Sequence, residues 1–537
     1  MRRTLCVLLA LTLLLFTLSG CAKVDMSWFT DKFKSGDAQT DAAPAETTPQ
    51  QETTAVTTEV FTELESFGLA YQPDYGLHPY NCESLNNRVI FSFLYEPLFA
   101  VTQELDAVPI LAKDYSVSDD GTATTITLQS GVRFHTGAPL TADDVVYSLE
   151  SSRGTAYYGS RLRDVTAIEA LDAQTVVLTT TVAYDELPLL LDIPIIQKDT
   201  MEQDVPPGTG PYKFESTEHL VRNTDWWQDS APLVDYDEIT LTSVSTTAEI
   251  RDNFEYENIN MVLTDPNSAA YAGFHNDYEL WEDGTCILQY IGYNIGSRVF
   301  SNYGLRSAIT YAIDRDHLAT DIMGGFAQPA VLPASPQAPF YDGKLANTYG
   351  YNLTKFSQQL ESASVEDMDN DGTLDLYVPS LGYAVSVAGT MIVCSSSYQR
   401  VEAATEVVNA LNALGFKITL KTLELSEFRQ ALQTGNFDLY YGEIRLSNNF
   451  DLTPFFSASG SMCYGGLDDS VMLNLCTQAL ANNGNSYNLY KRLCERGYIT
   501  PVLFKNLAVY TTRGSIAHPT DYIDWFLIPP ANEAAEG

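Results

Sequence analysis

Between residues 118 and 153 the spacing of apolar positions changes from the period of a strand to that of a helix. After the turn residue Gly121, residues 124–128 alternate between apolar and polar, which predicts a half-buried strand. Residues 132–134 alternate in the same way before Gly137, and they predict a second short strand that ends in a tight turn.

A helix is predicted immediately after this turn. Thr141 is a favourable N-cap, and Asp144 three residues later completes a capping box. The apolar stripe of this helix consists of Val145, Val146 and Leu149. Hairpins followed by capped helices are common in proteins, so these signals alone predict an α+β unit without an assigned function.

A strand, helix, strand order is predicted again towards the C-terminus. Residues 401–414 have apolar positions at helical spacing and stop at Gly415, a residue type that favours helix C-termini. Residues 416–420 alternate as a strand, Ser426 is a candidate cap for the next helix, and residues 437–441 are apolar. This order predicts an α/β lobe.

The N-terminus has the pattern of an export signal. Two arginines precede an apolar run at 5–18, which is too short for a comfortable membrane span, and the run ends in the tetrapeptide LSGC. Because this resembles a bacterial lipoprotein signal, cleavage of residues 1–20 and acylation of Cys21 are expected. An ordinary signal peptide with an incidental cysteine is the alternative. Residues 21–60 contain few large apolar side chains and predict a disordered tether.

Composition limits the classes of partner. At about 100 to 200 residues per domain, a chain of 537 residues predicts more than one lobe. Its 45% of hydrophobic side chains supports sizeable cores, and its formal net charge is −39. Like charges repel, so nucleic acid and anionic lipid headgroups are not expected as partners, and membrane attachment is expected through the lipid alone. Six cysteines outside the signal and Cys21 form no C-x-x-C pair. They are either free buried thiols or disulfides in one of about 15 pairings.

The stretch at 131–148, GVRFHTGAPLTADDVVYS, resembles the signature region of family 5 extracellular solute-binding proteins. Further segments resemble motifs of that family in the same order, namely LYEPL at 94–98, GTGPY at 208–212, TDWW at 224–227 and LRSAITYAIDR at 305–315. The resemblance covers residues 65–530. It implies an α/β, two-lobed fold of the periplasmic-binding-protein type, class II, with mixed sheets and a hinge between the lobes.

The resemblance also implies where the lobes begin and end. Lobe I is expected at 61–288 and 500–537, and lobe II at 289–499. A lobe inserted in another must be entered and left, so two crossings are required. Hinges are expected at these crossings, near residues 287–290 and 499–504.

Members of this family are the binding proteins of ABC importers. The resemblance therefore implies a monomeric, lipid-anchored receptor on the extracytoplasmic face of the membrane, which delivers its ligand to a permease and ATPase. An oligopeptide or dipeptide is the expected ligand, and a nickel chelate, haem, an oligosaccharide or a signalling peptide remains open. No H-E-x-x-H, G-x-S-x-G or Walker motif is present, so an enzyme is not expected. A calcium-stabilised surface adhesin and a secreted hydrolase are the alternatives from other classes.

Residues 442–451 fall where peptide-binding members of the family hold the α-amine of a peptide through an aspartate. An ammonium group buried in a closed cleft must be paired with a carboxylate. Glu443 and Asp451 are the candidate carboxylates. Arg445 is expected to orient one of them or to bind a ligand carboxylate through two hydrogen bonds. The sequence departs from the family pattern, because Glu443 stands where a tryptophan is usual, and a surface loop is the alternative.

Four aspartates surround a glycine turn with the spacing of a calcium loop, namely Asp367, Asp369, Asp371 and Asp375. Val378 stands where an EF-hand has its bidentate glutamate. A solvated acidic turn and a weakly bound structural calcium ion are both compatible with this pattern. No other cofactor is expected.

Overall fold

A computed structural model of the chain describes residues 64, 66–229, 232–266, 274, 276–516 and 519–527. The expected signal, Cys21 and the tether lie outside these residues. Within them, none of the helices combines the length and the hydrophobicity that a membrane crossing requires.

The strands are β1 (Phe67–Tyr71), β2 (Phe99–Val101), β3 (Ala107–Pro109), β4 (Ala112–Val117), β5 (Ala123–Leu128), β6 (Val165–Asp172), β7 (Thr175–Thr180), β8 (Tyr212–Phe214), β9 (His219–Arg222), β10 (Glu238–Ser243), β11 (Met261–Thr264), β12 (Tyr278–Tyr293), β13 (Ala327–Pro329), β14 (Val365–Glu366), β15 (Asp375–Val378), β16 (Tyr383–Ser386), β17 (Ala388–Cys394), β18 (Lys417–Leu423), β19 (Leu439–Arg445) and β20 (Ile499–Thr512). The helices are α1 (Leu85–Leu94), α2 (Ala142–Ser152), α3 (Thr247–Glu255), α4 (Tyr303–Ile309), α5 (Arg315–His317), α6 (Gly343–Tyr349), α7 (Leu353–Ser362), α8 (Tyr398–Ala413), α9 (Leu425–Thr434), α10 (Thr453–Phe456), α11 (Ser470–Ala481) and α12 (Ser486–Arg496).

One large mixed sheet extends through both lobes. Its strands follow the order β18-β17-β19-β12-β20-β11-β1-β10-β9-β8, and β13 also pairs with β20. Every residue of β20 is buried, which is expected of a central strand that is covered on both faces. The smaller sheets are β4-β5-β7-β6, β14-β15-β16 and β2-β3. The two-lobed α/β fold implied by the sequence is therefore confirmed.

The two expected hinge segments lie side by side in β12 and β20. Tyr290 pairs with Pro501 next to a register shift at Gln289, and a second shift lies between Asp283 and Ile287. Proline has no N–H group to donate to the ladder, so strand pairing is weaker at this point. Hinge motion stays a prediction, and it falls on an irregular part of the pairing.

Buried hydrophobic side chains form two large cores. One core draws mostly on residues 286–504, and the other mostly on residues 67–263 with a few from 507–527. Strand β20 contributes to both, with Phe504 in the first core and Leu507 in the second. The lobe boundaries expected from the sequence stay a prediction, and the division between the cores falls near them.

The signature region has the predicted order with one exception. Strand β5 and helix α2 match the prediction, and the capping box is present, with Thr141 N donating to Asp144 Oδ2 at 2.9 Å. The predicted strand at 132–134 is wrong. Only an isolated bridge joins Arg133 and Pro139, because the chain reverses within a few residues and leaves no room for a ladder.

The C-terminal prediction is confirmed in its order, which is α8, β18, α9 and β19. Gly415 has a φ of +93°, a backbone conformation that glycine adopts without strain. The prediction for Ser426 is wrong. Helix α9 begins at Leu425 with Glu424 as its N-cap, so Ser426 already lies in the first turn.

The disulfide alternative is not realised in the structure. Burial raises the pKa of the Cys286 thiol to about 12, so this thiol is a packing group and not a reactive one. The free cysteines are Cys82, Cys286, Cys394, Cys463, Cys476 and Cys494.

Candidate ligand-binding site

A cavity of about 110 Å³ lies where α1, the loop after α2, the end of β19 and residues 523–526 meet. Arg445 comes from the expected lobe II and the other segments from the expected lobe I, so the cavity lies at the expected boundary between the lobes. Its apolar wall includes Leu85, Phe91, Tyr95, Val101, Leu507, Ile523 and Phe526. Its polar wall consists of Arg88, Ser92, Tyr157, Tyr158, Arg161, Asp192, Arg445 and Asp524.

The helix of the signature region positions part of this wall. Arg153 follows the last residue of α2, and its Nη1 donates to the carbonyl oxygens of Leu162 at 3.0 Å and Val165 at 2.8 Å. These two bonds fix the ends of the loop that carries Tyr157 and Arg161. The motif that carries the family resemblance therefore shapes the cavity without lining it.

Two ion pairs lie in the cavity wall. Arg161 pairs with Asp192, and Arg445 Nη1 lies 3.3 Å from Asp524 Oδ1. The hydroxyl of Tyr157 donates to the other oxygen of Asp524 at 3.3 Å. Burial raises the pKa of Asp524, but the charge of Arg445 and of neighbouring guanidinium groups outweighs it, and the pKa lies below its ordinary value. Asp524 is therefore ionised at neutral pH.

Arg88 is the third arginine of the cavity. Its guanidinium carbon lies 3.6 Å from the centre of the Tyr157 ring, and its Nη2 donates to the hydroxyl of Tyr158 at 3.1 Å. Its Nη1 is buried and has no hydrogen-bond partner among the described residues. Within that part of the chain, Arg88 also forms no ion pair of its own, and Asp524, whose charge acts on it from a longer distance, is already paired with Arg445.

The cavity therefore has more positive than negative groups. Its wall holds the three guanidinium groups of Arg88, Arg161 and Arg445 and the two carboxylates of Asp192 and Asp524. This surplus is notable in a chain with a formal net charge of −39. Such a site can accept one further anionic group.

Of the three ligand-binding residues predicted from the sequence, Arg445 lines the cavity. Glu443 lies two residues earlier on β19 and does not line it. Its carboxylate lies 3.3 Å from Arg400 and accepts a hydrogen bond from Gln289 Nε2 at 2.8 Å. A direct contact of Glu443 with a ligand stays a prediction, and its carboxylate already has two partners.

Asp451 also lies outside the cavity wall. It pairs with Arg163, which follows the loop of the signature helix, and its other oxygen accepts from Thr453 N at 2.8 Å. The side chain of Asp451 is 5% exposed and that of Arg163 is 37% exposed. The pair joins the two expected lobes, so the structure assigns Asp451 a contact between lobes, and its role as a ligand anchor stays a prediction.

Further contacts between the expected lobes come from the loop after β19. Asn448 Nδ2 donates to Leu189 O at 3.0 Å and to Asp192 Oδ2 at 3.3 Å. Asn449 Nδ2 donates to the hydroxyl of Tyr184 at 3.0 Å. Because Asp192 also lines the cavity, this loop connects the contact between lobes directly to the cavity wall.

The acidic turn lies in the expected lobe II and runs from the end of β14 to the first residue of β15. Oxygens of Asp367, Asp369 and Asp375 lie within 4.8 Å of one another, so three of the four predicted ligands converge and Asp371 does not belong to the group. Backbone N–H groups already donate to these carboxylates, among them Gly372 N to Asp367 at 2.9 Å. Calcium binding stays a prediction.

Sequence reasoning missed most of the polar cavity wall. Part of the wall could have been found from its position in the sequence, because Tyr157, Tyr158 and Arg161 lie shortly after the signature helix. No local pattern marks Arg88, Asp192 or Asp524. They come from three distant parts of the chain and meet only in the folded protein.

The fold, with a cavity at the expected boundary between its lobes, is that of a two-lobed binding protein. The sequence model of bacterial extracellular solute-binding proteins, family 5, matches residues 106–462. The chain belongs to this family. Its members bind solutes, so the expectation that the chain is not an enzyme is confirmed.

Individual relatives are distant. The glutathione-binding protein GsiB of Salmonella typhi is 26% identical over 317 residues, which are 54% of this chain and 60% of that protein. The oligopeptide-binding protein AppA of Bacillus subtilis is 23% identical over 373 residues, which are 65% of this chain and 67% of that protein. The solved structure of a nickel ABC transporter from Bacillus halodurans has a TM-score of 0.69 at 19% identity and covers 87% of this chain and 98% of that one. The chain thus spans less than two thirds of the glutathione-binding relative, and the structural likeness establishes the fold.

Proposed function

We propose that the protein is the extracytoplasmic receptor of an ABC importer. It binds a peptide or a peptide-like solute at the boundary of its lobes and delivers this solute to a permease and ATPase. The observation that carries the proposal is the cavity with a charged wall contributed by both expected lobes, Arg88 and Arg161 from one and Arg445 from the other. Relatives named for binding glutathione and oligopeptides support the class of ligand.

Ligand capture by lobe closure agrees with the contacts around the cavity. The ion pair of Arg163 with Asp451 and the hydrogen bonds of Asn448 hold the expected lobes together beside the cavity. Closure removes water from a cleft, and this strengthens the electrostatic interactions inside it. A ligand that bridges the two sides of the cavity would stabilise this closed state relative to an open one.

The test of this proposal begins with the ligand itself. Native mass spectrometry of the purified full-length protein is expected to show a bound small molecule, which is then identified after denaturation. Removing this molecule should raise the radius of gyration in small-angle scattering, and adding it back should restore the smaller value. A protein that binds no peptide or peptide-like solute and keeps a constant radius of gyration would contradict the receptor function.

We also propose that Cys21 carries the lipid anchor, on the basis of the tetrapeptide at 18–21. Two or three acyl chains hold a protein stably on a membrane, whereas one chain gives only marginal binding. Cys21→Ala should move the protein from the membrane fraction to the soluble fraction. Cys6→Ala is the matched control and should leave it at the membrane, since Cys6 belongs to the expected signal. Salt-resistant membrane retention of the Cys21→Ala protein would refute the anchor.

A further inference from the structure

We infer that the cavity recognises a carboxylate of its ligand through Arg88, and that the attached part of the ligand is small and apolar. This inference rests on the proposed function and specifies how the same site selects its ligand. It differs from recognition of a ligand ammonium group by Glu443 or Asp451, which the sequence alone suggested.

The first argument is the charge balance of the wall. Arg161 and Arg445 each form a direct ion pair with a carboxylate, whereas Arg88 forms none among the described residues and shares the more distant charge of Asp524 with Arg445. A buried charge without a counter-ion is costly, whereas a paired and hydrogen-bonded one is tolerated. A ligand carboxylate would supply the missing charge and leave three guanidinium groups facing three carboxylates.

The second argument is the hydrogen bonding of Arg88. A guanidinium group presents N–H donors in a planar fork that matches the two oxygens of a carboxylate. Nη2 of Arg88 already donates to Tyr158, but Nη1 is buried without a hydrogen-bond partner in the described part of the chain. Tyr157 covers one face of the group at 3.6 Å, which fixes its plane. A donor that is already held in position loses little entropy when the ligand binds.

The third argument is the size and lining of the cavity. Its volume of about 110 Å³ is close to that of an engineered apolar cavity of about 150 Å³ that holds a benzene ring. The apolar side chains that line it include Phe91, Val101, Leu507 and Phe526. The group next to the carboxylate is therefore expected to be apolar and about as large as one six-membered ring.

A ligand cation does not fit this cavity. The wall already has a formal surplus of one positive charge, so an ammonium group would be repelled. The two carboxylates predicted to hold an ammonium group are engaged elsewhere, Asp451 with Arg163 and Glu443 with Arg400.

The experiment uses two matched sets of small probes and the full-length protein freed of co-purified ligand. One set is benzoate, benzamide and benzylamine, and the other is 4-methylpentanoate, its amide and 4-methylpentylamine. Binding is measured by calorimetry for the wild type, for Arg88→Gln and for Arg429→Gln. Arg429 is exposed and lies outside the cavity, so it is the matched control. Circular dichroism checks that each variant is folded.

In the wild type and in Arg429→Gln, the carboxylates should bind about tenfold to a hundredfold more tightly than the amides, and the amines should bind most weakly. Arg88→Gln should remove this preference. An amide or amine that binds as tightly as its carboxylate, or a preference that survives in Arg88→Gln, would overturn the inference. If no probe binds to the wild type, the inference also falls. A ligand found by native mass spectrometry would then still support the proposed receptor, so the two failures are distinguishable.

Discussion

Arg88 lies half-buried in helix α1 and lines the cavity, whereas Glu96 follows the same helix by two residues and lies in the interior of the expected lobe I. Glu96 is completely buried, and three side chains donate hydrogen bonds to its carboxylate. Arg88 has one hydroxyl partner, two neighbouring rings and no carboxylate partner in the described residues. The comparison suggests that a satisfied buried charge serves the fold, whereas an incompletely satisfied one beside a cavity serves a ligand.

The contacts of Glu96 explain two motifs, LYEPL and TDWW, for which the sequence showed only a resemblance to the family. Trp227 Nε1 donates to both oxygens of Glu96, at 3.1 and 2.9 Å, and Trp226 Nε1 donates at 3.3 Å. Gln228 Nε2 donates at 3.2 Å. The glutamate of the LYEPL motif and the tryptophans at 226–227 therefore form one structural unit. Each tryptophan thus combines an apolar ring with an indole N–H group that has found a hydrogen-bond acceptor.

The largest expected effect comes from breaking this unit. Glu96→Ala would leave the indole N–H groups of Trp226 and Trp227 without their acceptor, and each buried unsatisfied donor costs about 1 to 3 kcal/mol. Together with the lost packing, the free energy of unfolding should fall by about 3 kcal/mol or more. Denaturant unfolding measures this change. Glu83→Ala is the control at an exposed glutamate near the same helix and should be neutral. A Glu96→Ala protein as stable as the control would contradict the claim that Glu96 stabilises the fold, which is what distinguishes it from Arg88.

A pH series sharpens the same comparison. Burial raises the pKa of Glu96 from 4.5 to about 7, although the hydrogen bonds from the tryptophans lower it. The folded state therefore holds this proton more tightly than the unfolded state, so the stabilisation is fully present below pH 4.5 and is lost as the pH rises to about 7. The unfolding free energy of the wild type, minus that of Glu96→Gln, should fall by up to about 3 kcal/mol over this range. A difference that stays constant with pH would show that Glu96 is ionised throughout.

A smaller effect is expected at the contact between Arg163 and Asp451. The arginine is 37% exposed, so solvent screens the pair and its contribution to closure is about 1 kcal/mol. Arg163→Ala should therefore weaken binding of the ligand identified by mass spectrometry several-fold, and Asp451→Asn should do the same. Asparagine can still accept the hydrogen bond from Thr453.

The same two variants decide between the lobe contact and the ligand anchor. If Asp451 holds a ligand ammonium group directly, Asp451→Asn should reduce the affinity by more than about a hundredfold and Arg163→Ala should have little effect. Calorimetry with both variants separates these outcomes. Equal and modest losses would establish the pair as a contact that supports closure.

The fold was predictable because its signals are local. The capping box of Thr141 and Asp144 and the glycine at 415 each depend on a few neighbouring residues, and the structure has both. The errors came from patterns that were too short. Residues 132–134 alternate like a strand, but Val132 and Phe134 are buried at a tight reversal of the chain and not in a sheet. Ser426 was predicted as the N-cap because serine favours that position, but the actual N-cap is Glu424, two residues earlier.

The site was less predictable because its parts are distant in sequence. Arg445 could be found, since it lies in a segment that the family resemblance marks. Arg88 and Asp524 are more than 400 positions apart, and the pairing of β20 with β11 and β12 brings the C-terminal segment back to the expected lobe I. The role of Asp451 could not be read from its position, because its partner, Arg163, belongs to the other expected lobe.

The smallest effect is expected at the acidic turn of Asp367, Asp369, Asp371 and Asp375. Like Arg88, these carboxylates form no ion pair within the described residues, but they are solvated or accept backbone N–H bonds, such as Thr373 N to Asp371 at 2.7 Å. A carboxylate that stays in contact with water loses little solvation free energy on folding, so the turn does not require a bound ion to be stable.

We therefore expect millimolar calcium to leave the melting temperature of the full-length protein unchanged. A bound ion would instead raise the stability by about 2.7 kcal/mol at a hundredfold excess over its dissociation constant. Asp375→Asn is the informative variant, because Asp375 is the buried member of the converging group. A calcium-dependent rise in the melting temperature that this variant abolishes would show that the turn is a calcium site, and that exposed acidic clusters in this protein also require a partner ion.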